Sequence, residues 1–194
     1  MDNKLIQEIE YALKEVINHK RYRHTMGVVK ASIYLAQKYG ADVNNANIAA
    51  LLHDYAKDYT REDLLHYIKK HGIVVDNIMM EAHELLHGKV AASIARNKFN
   101  ITNEDIINAI ENHTTGRENM SKLEKIIYLA DFIEDGRNYP GVKELRKISD
   151  IDLDLALLQA FDNTIVYVLN IKKLLHPNTL NARNQILLKT KEKL

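Results

Sequence analysis

Two side chains that are costly to bury stand side by side near the end of an apolar run: His53 and Asp54 in Ala49-Ala50-Leu51-Leu52-His53-Asp54-Tyr55-Ala56-Lys57. An imidazole or a carboxylate among aliphatic residues loses its hydration and must recover it from a partner. One metal ion satisfies both together, through a ring-nitrogen lone pair and a carboxylate oxygen. The chain supplies a complement in the same kind of setting: His24 upstream, then His87, His113 and Asp131 downstream, each in a helix-like segment or at its end. Any one of the six alone reads as an ordinary surface or capping residue. All six, in the order His, His-Asp, His, His, Asp, read as a set of candidate metal ligands. Asp131 lies in Ile126-Ile127-Tyr128-Leu129-Ala130-Asp131-Phe132-Ile133, where a carboxylate is either half exposed or buried with a cation.

The remaining histidines divide by context. His83 and His87 are four apart, a spacing that can chelate one ion from a helix face. His87 is preferred, because Gly88 beside it permits close approach of a ligand or another backbone. His83 reads as solvated or as touching the site only from outside. His19, His66 and His71 sit among charged residues and are assigned to the surface. His176, in Leu174-Leu175-His176-Pro177-Asn178-Thr179, marks a break between two long helices. Composition favours a helix stop followed by an Asn cap over a loop that contacts a nucleotide.

Cations stand near these positions. Lys57 follows Asp54 by about one helical turn and can face the same site. Arg137 comes under two turns after Asp131. Thr114 follows His113 directly, with a hydroxyl suited to phosphate. Arg23 is next to His24 but on another helix azimuth, and ranks lower.

Composition sets limits on the chemistry. There is no cysteine among 194 residues, so disulfides, thiolate metal sites and cysteine nucleophiles are excluded. Any metal must be held by His, Asp, Glu or water, which favours iron, manganese, zinc or magnesium. The formal net charge is +1, too small a field to recruit nucleic acid or an anionic membrane. The charged N-terminus is unlike a signal peptide, and no apolar stretch approaches the roughly 20 residues of a spanning helix. A cytoplasmic location is expected.

The elements that must position these residues read as helix after helix. Seven glycines and two prolines punctuate the chain, and no segment sustains period-2 alternation. Helices are expected over about 3–18, 22–39 (closed by Gly40), 44–56 and 60–72. The last opens on the capping-box sequence Thr60-Arg61-Glu62-Asp63. A short turn near Asp76 leads to helices over about 84–98 and 102–113. Another starts at Ser121 and carries Asp131. A short helix has Pro140 at its first position, and long helices cover about 152–172 and 178 to the end. The expected fold is all-α: one helical bundle of about nine or ten helices, with residues 1–194 as a single domain.

The ordered series resembles the HD-domain metallophosphohydrolases. Arg21-Tyr22-Arg23-His24, His53-Asp54-Tyr55-Ala56-Lys57, His113-Thr114-Thr115-Gly116, Ala130 to Arg137 and Leu175-His176-Pro177-Asn178-Thr179 together resemble the bacterial YqeK family of symmetrical diadenosine tetraphosphate hydrolases. That resemblance implies a di-iron centre, with manganese or another divalent metal as a substitute. One ion would be held by His24, His53, Asp54 and Asp131, and the other by Asp54, His87 and His113, with Asp54 bridging. It implies a bridging hydroxide that splits the substrate into two ADP, with Asp54, Lys57 and Arg137 as catalytic residues. The substrate would be contacted by Lys57, His87, His113, Thr114, Asp131 and Arg137. By resemblance alone, Asp58, Tyr59, Thr60 and the loop Leu175, His176, Pro177, Asn178 and Thr179 would hold the nucleoside. A small dinucleoside polyphosphate is the implied partner, and a homodimer is left open. Two alternatives stand beside this: a nucleotidase or phosphodiesterase of the same superfamily, and a metal-containing nucleotide-binding module without turnover.

Overall fold

The structure, a computed structural model, describes residues 2–191. Among them are eleven α-helices and no strand: α1 Asp2–Val16, α2 His19–Tyr39, α3 Val43–Leu52, α4 Arg61–His71, α5 Asn77–Glu81, α6 Leu86–Phe99, α7 Glu104–Asn112, α8 Lys122–Ile133, α9 Val142–Ser149, α10 Leu153–Asn170 and α11 Pro177–Thr190. No described helix is long and apolar enough to cross a membrane.

Side-chain caps set most helix starts. Asn18, Asp42, Asn103 and Asp152 each accept a backbone N–H of the helix they precede. Thr60 with Asp63, and Ser121 with Glu124, form the two expected capping boxes. Gly40 and Gly72 close α2 and α4 with φ of 67° and 62°, in the left-handed region where a Cβ is disfavoured.

The sequence expectations fail mainly at helix ends. The eleventh helix is α5, capped by Asp76, where only a turn was expected; a 3-10 turn at His83–Leu85 joins it to α6. Pro140 does not open α9. Gly141, at φ 91°, interrupts the chain, and the helix begins at Val142. The third helix stops at Leu52 rather than Ala56. The Ala50 carbonyl, which a continuing helix would bond, instead accepts the His53 Nδ1–H at 2.6 Å. The chain then tightens into successive turns over residues 53–58. The expected continuation of the last helix to the end of the chain falls on residues 192–194, which lie outside the described residues.

The helix α8 is the hub. Ile126, Ile127, Tyr128, Leu129 and Ala130 are all fully buried, five in succession, so this helix is apolar all round and must be covered on every side. It packs against α2, α3, α7, α9 and α10. The helices that carry, or end beside, the six candidate metal-binding residues are α2, α3, α6, α7 and α8, and they form one contiguous cluster through the pairs α2·α3, α2·α8, α3·α7, α3·α8, α6·α7 and α7·α8. The helix α10 backs the hub, with Phe161 against Tyr128 at 4.4 Å between ring centroids, and α11 covers α10.

Two glycines set critical approaches. A Cβ on Gly88 would lie 2.7 Å from the Glu111 carbonyl oxygen, so α6 touches the backbone of α7 only because residue 88 has none. A Cβ on Gly116 would lie 2.6 Å from Phe161 Cζ and 3.4 Å from Ala182 Cβ, which seats the turn after His113 against α10 and α11.

Glu124 pins the loop between α7 and α8. It is 1% exposed, accepts the Ser121 N–H at 2.8 Å, and takes the Arg117 guanidinium on both oxygens at 2.6 and 2.8 Å. Charge-assisted hydrogen bonds to a buried group contribute about 1.5–3 kcal/mol each. Glu124→Ala is therefore expected to lower stability in urea unfolding by about 2–3 kcal/mol, whereas Glu118→Ala on the exposed side of the same loop stays within about 0.5 kcal/mol.

Candidate metal centre

Four imidazoles converge with their Nε2 atoms inward, because each Nδ1 is tied to an oxygen behind it. His53, His87 and His113 donate Nδ1–H to the carbonyls of Ala50, Glu84 and Ile110, each three residues back, at 2.6, 2.7 and 2.8 Å. His24 donates Nδ1–H to Glu134 Oε1 at 3.1 Å. Carbonyl and carboxylate oxygens only accept, so Nδ1 carries a proton in all four cases and Nε2 is the nitrogen left to face the centre. His53 and His113 are also the residues at which α3 and α7 end. One hydrogen bond thus satisfies a terminal carbonyl and aims a ligand.

The acceptor atoms cluster around Asp54. Its Oδ1 lies 3.1 Å from His87 Nε2 and 3.5 Å from His113 Nε2, and these two nitrogens are 3.0 Å apart. Its Oδ2 lies 3.5 Å from His53 Nε2 and 3.8 Å from His24 Nε2, and His24 Nε2 is 3.0 Å from Asp131 Oδ1. Neighbouring ligands of one ion at ~2.1 Å in octahedral geometry are separated by about 3 Å, close to these spacings. Lone pairs this near one another repel unless a cation lies among them. His24, His53 and Asp131 form one group that could hold a metal, and His53, Asp54 and His113 form another. His24 Nε2 and His53 Nε2 are buried with no hydrogen-bond partner. The donor set fits a divalent metal, and the two faces of Asp54 look toward two sub-sites.

Electrostatics keep the ligands in binding form. Burial and then the Lys57 ammonium push the His87 imidazole down to about 4, so it is neutral at pH 7. Burial pushes the Asp54 carboxyl up, but the surrounding imidazoles of His53, His113 and His87 outweigh it and hold the group well below the usual carboxylate range. At Asp131, burial is likewise outweighed by His24 and Arg137, which keep the carboxyl ionised.

Cations and a hydroxyl ring the cluster. Lys57 Nζ donates toward His87 Nε2 at 3.4 Å, and Thr114 Oγ1 lies 3.1 Å from His113 Nε2. Arg137 pairs with Asp131 Oδ1 and donates through Nε to the Asp131 carbonyl at 2.7 Å. Arg21 donates to Asp54 Oδ2 at 2.8 Å, with its side chain 28% exposed. Sequence reasoning did not single out Arg21 or Glu134. Each stands three residues from a ligand, His24 and Asp131 respectively, and this spacing is the signal that was available.

The other expected site residues sit as follows. His83 is 47% exposed at its side chain, beside Glu84, while His87 is 2% exposed. Arg23 is exposed. Asp58 accepts from the backbone and side-chain nitrogens of Asn18, Thr60 caps α4, and Tyr59 is half-buried between them. His176 is buried, caps α11 through the Asn178 N–H and donates to Asp76 Oδ2 at 2.8 Å. Residues 177–179 form the first turn of α11 rather than the expected loop, and this bond ties that helix start to the cap of α5. Pro177 is exposed, Leu175 and Asn178 are half-buried, and Thr179 is buried.

An all-α bundle that gathers His, His-Asp, His, His and Asp from five helices around one buried carboxylate has the architecture of a metal-dependent phosphohydrolase. The HD domain model matches residues 21–135, and the chain belongs to that family. It is 41% identical, over 92% of its length and 95% of the relative's, to the symmetrical bis(5'-nucleosyl)-tetraphosphatase of Halalkalibacterium halodurans. It is 38% identical to the Bacillus subtilis protein of the same name, over 92% and 95% of the two chains. A crystal structure from Clostridium acetobutylicum, described as a predicted HD superfamily hydrolase involved in NAD metabolism, superposes with a TM-score of 0.91 at 43% identity, covering 94% of this chain and 97% of that one. These relatives bear out the family resemblance read from the motifs.

Metal analysis of variants tests the ligand set. Asp54→Ala is expected to lose both ions, His87→Ala one equivalent, and His83→Ala none; two tightly bound ions in Asp54→Ala would refute the bridging role. Stability of the metal-free protein gives a second readout. His87 titrates at about 4 when folded and near 6.5 when unfolded, so between these values the unfolded chain binds the extra proton. The contribution from neutral His87 is intact above pH 6.5 and falls by about 3 kcal/mol as pH drops to 4. His87→Gln should flatten that part of a stability–pH profile.

Proposed function

We propose that this protein hydrolyses diadenosine tetraphosphate symmetrically to two ADP, with the whole chain acting as one catalytic domain around two divalent ions, iron first and manganese as a substitute. The observation that carries the reading is the near full-length match, in both chains, to relatives named for that reaction. It is supported by the arrangement of Lys57, Arg21, Arg137 and Thr114 around an acceptor-only cluster.

When bound, a pair of divalent cations would supply an activated water as nucleophile and neutralise charge on the phosphoryl group under attack. His24, His53, Asp54 and Asp131 would hold one, and Asp54, His87 and His113 the other. The residues around them do the rest. Lys57, Arg137 and Arg21 each rest on a ligand atom, so each already points at the place where phosphate oxygens would arrive. Once an ion takes up the charge of Asp54 and Asp131, these cations become available to an anionic substrate. Thr114 offers a hydroxyl to a phosphate oxygen. The leaving group is ADP, an anion stable at neutral pH, so its departure needs nearby positive charge more than a strong acid. A grip on one nucleoside diphosphate half, with its outer phosphate at the centre, directs attack to the middle of the tetraphosphate. Residues 175–179, at the start of α11, and Tyr59 are the proposed walls for the nucleoside.

Product analysis in ¹⁸O-labelled water is the direct test. ADP as the only nucleotide product, with label on half of it, is expected; ATP and AMP as main products, or no turnover with the metals bound, would overturn the reading. Lys57→Ala and Arg137→Ala should lower kcat by about 10²–10³ while both ions are retained, the usual cost of removing one donor that stabilises developing charge.

A further inference from the structure

Three of the four imidazoles are backed by main-chain carbonyls, which no substitution can remove. His24 is the exception, and the surroundings of its partner are built for that contact. Glu134 is 5% exposed at the C-terminal end of α8, one turn after Asp131, so the two carboxylates share a helix face. Its Oε1 accepts His24 Nδ1–H at 3.1 Å and lies 4.0 Å from Arg137 Nε. Its Oε2 accepts the Gly136 N–H at 2.5 Å. Across from it, Gly27 stands one turn after His24 on α2. A Cβ there would run into the Glu134 carboxylate, coming within 3.1 Å of Cδ and closer still to Oε2. The two helices therefore meet through complementary patterns: His24-x-x-Gly27 leaves the space that Asp131-x-x-Glu134 fills.

We propose that Glu134 is the positioning residue of one half of the metal centre. It keeps the His24 proton on Nδ1, holds the ring against rotation, and through its negative charge makes Nε2 a stronger donor than the three carbonyl-backed imidazoles. Outer partners of this kind fix ring orientation and raise ligand basicity. The consequence is an asymmetric centre. The sub-site formed by His24, His53 and Asp131 is the one backed by a carboxylate, and it binds its ion more tightly than the sub-site formed by His87, His113 and the other face of Asp54. Gly27 belongs to the same device, because any side chain there displaces Glu134. The inference rests on the metal-centre reading above.

The test is anaerobic titration of the metal-free protein with Fe(II), and separately with Mn(II), followed by calorimetry. The wild type should show two binding steps. Glu134→Gln keeps the size of the side chain and removes its charge; it should weaken the tighter step about 10–100-fold, the range for loss of such a partner, and leave the other unchanged. His24→Ala, which removes the ligand itself, should abolish the step that Glu134→Gln weakens. In the metal-free protein, proton NMR should show a strongly downfield His24 Nδ1–H resonance that moves upfield in Glu134→Gln, a change that a merely structural role would not produce. Should Glu134→Gln fail to fold by circular dichroism, Gly27→Ala displaces the carboxylate from the other side and should weaken the same step. Two unaltered binding steps, or equal weakening of both, would overturn the proposal. A wild type that binds no ion would instead overturn the metal reading itself.

Discussion

Four histidine ring protons are committed away from the centre of this molecule, and most of what the centre can do follows from that. Each Nδ1–H is spent on an oxygen, so every Nε2 faces inward. Add the oxygens of Asp54 and Asp131, and six residues present potential metal-binding atoms to one point. It is an arrangement for cations. Asp54 and Asp131 already carry Arg21 and Arg137, whereas His24 Nε2 and His53 Nε2 have no hydrogen-bond partner, so a cation arriving there would link metal binding to folding stability.

The surrounding cations belong to the same balance. Arg21 and Arg137 lie on the two ligand carboxylates, and Lys57 lies at a ligand nitrogen. In the metal-free protein they relieve repulsion among the acceptors. Beside bound dications they would be repelled by those ions and attracted to an incoming polyphosphate. In the proposed reaction, one set of side chains would stabilise the protein before metal binds and meet the substrate afterwards.

Bringing ligands from five helices to one point requires close helix approaches, and particular residues allow them. Gly88 lets α6 touch the α7 backbone beside His113, and Gly27 opens the space between α2 and α8 that Glu134 fills. The apolar hub α8 fixes where these helices meet, because its fully buried run from Ile126 to Ala130 must be covered on all sides. Glu124 then locks the loop that carries His113 and Thr114 into α8.

The sequence alone shows the all-α class, most helix starts and the six residues gathered at the centre. Capping boxes at Thr60 and Ser121 act over three residues, and polar groups in apolar runs announce that they need partners. It also marked Gly88 as a point of close approach, which the α6–α7 contact bears out. The rest depends on how the helices pack. The ends of α3 and α9 were misjudged because a histidine ring bonding its own helix carbonyl, or a glycine at positive φ, overrides the local pattern. Arg21 and Glu134 stand in the quoted motifs without a role, because each looks like an ordinary charged helix residue until another helix brings the face of Asp54 or His24 against it. Short-range rules of capping and periodicity can be read along a chain. The charge and hydrogen-bond partners of a buried group come from residues up to 110 positions away, and only packing determines which ones they are.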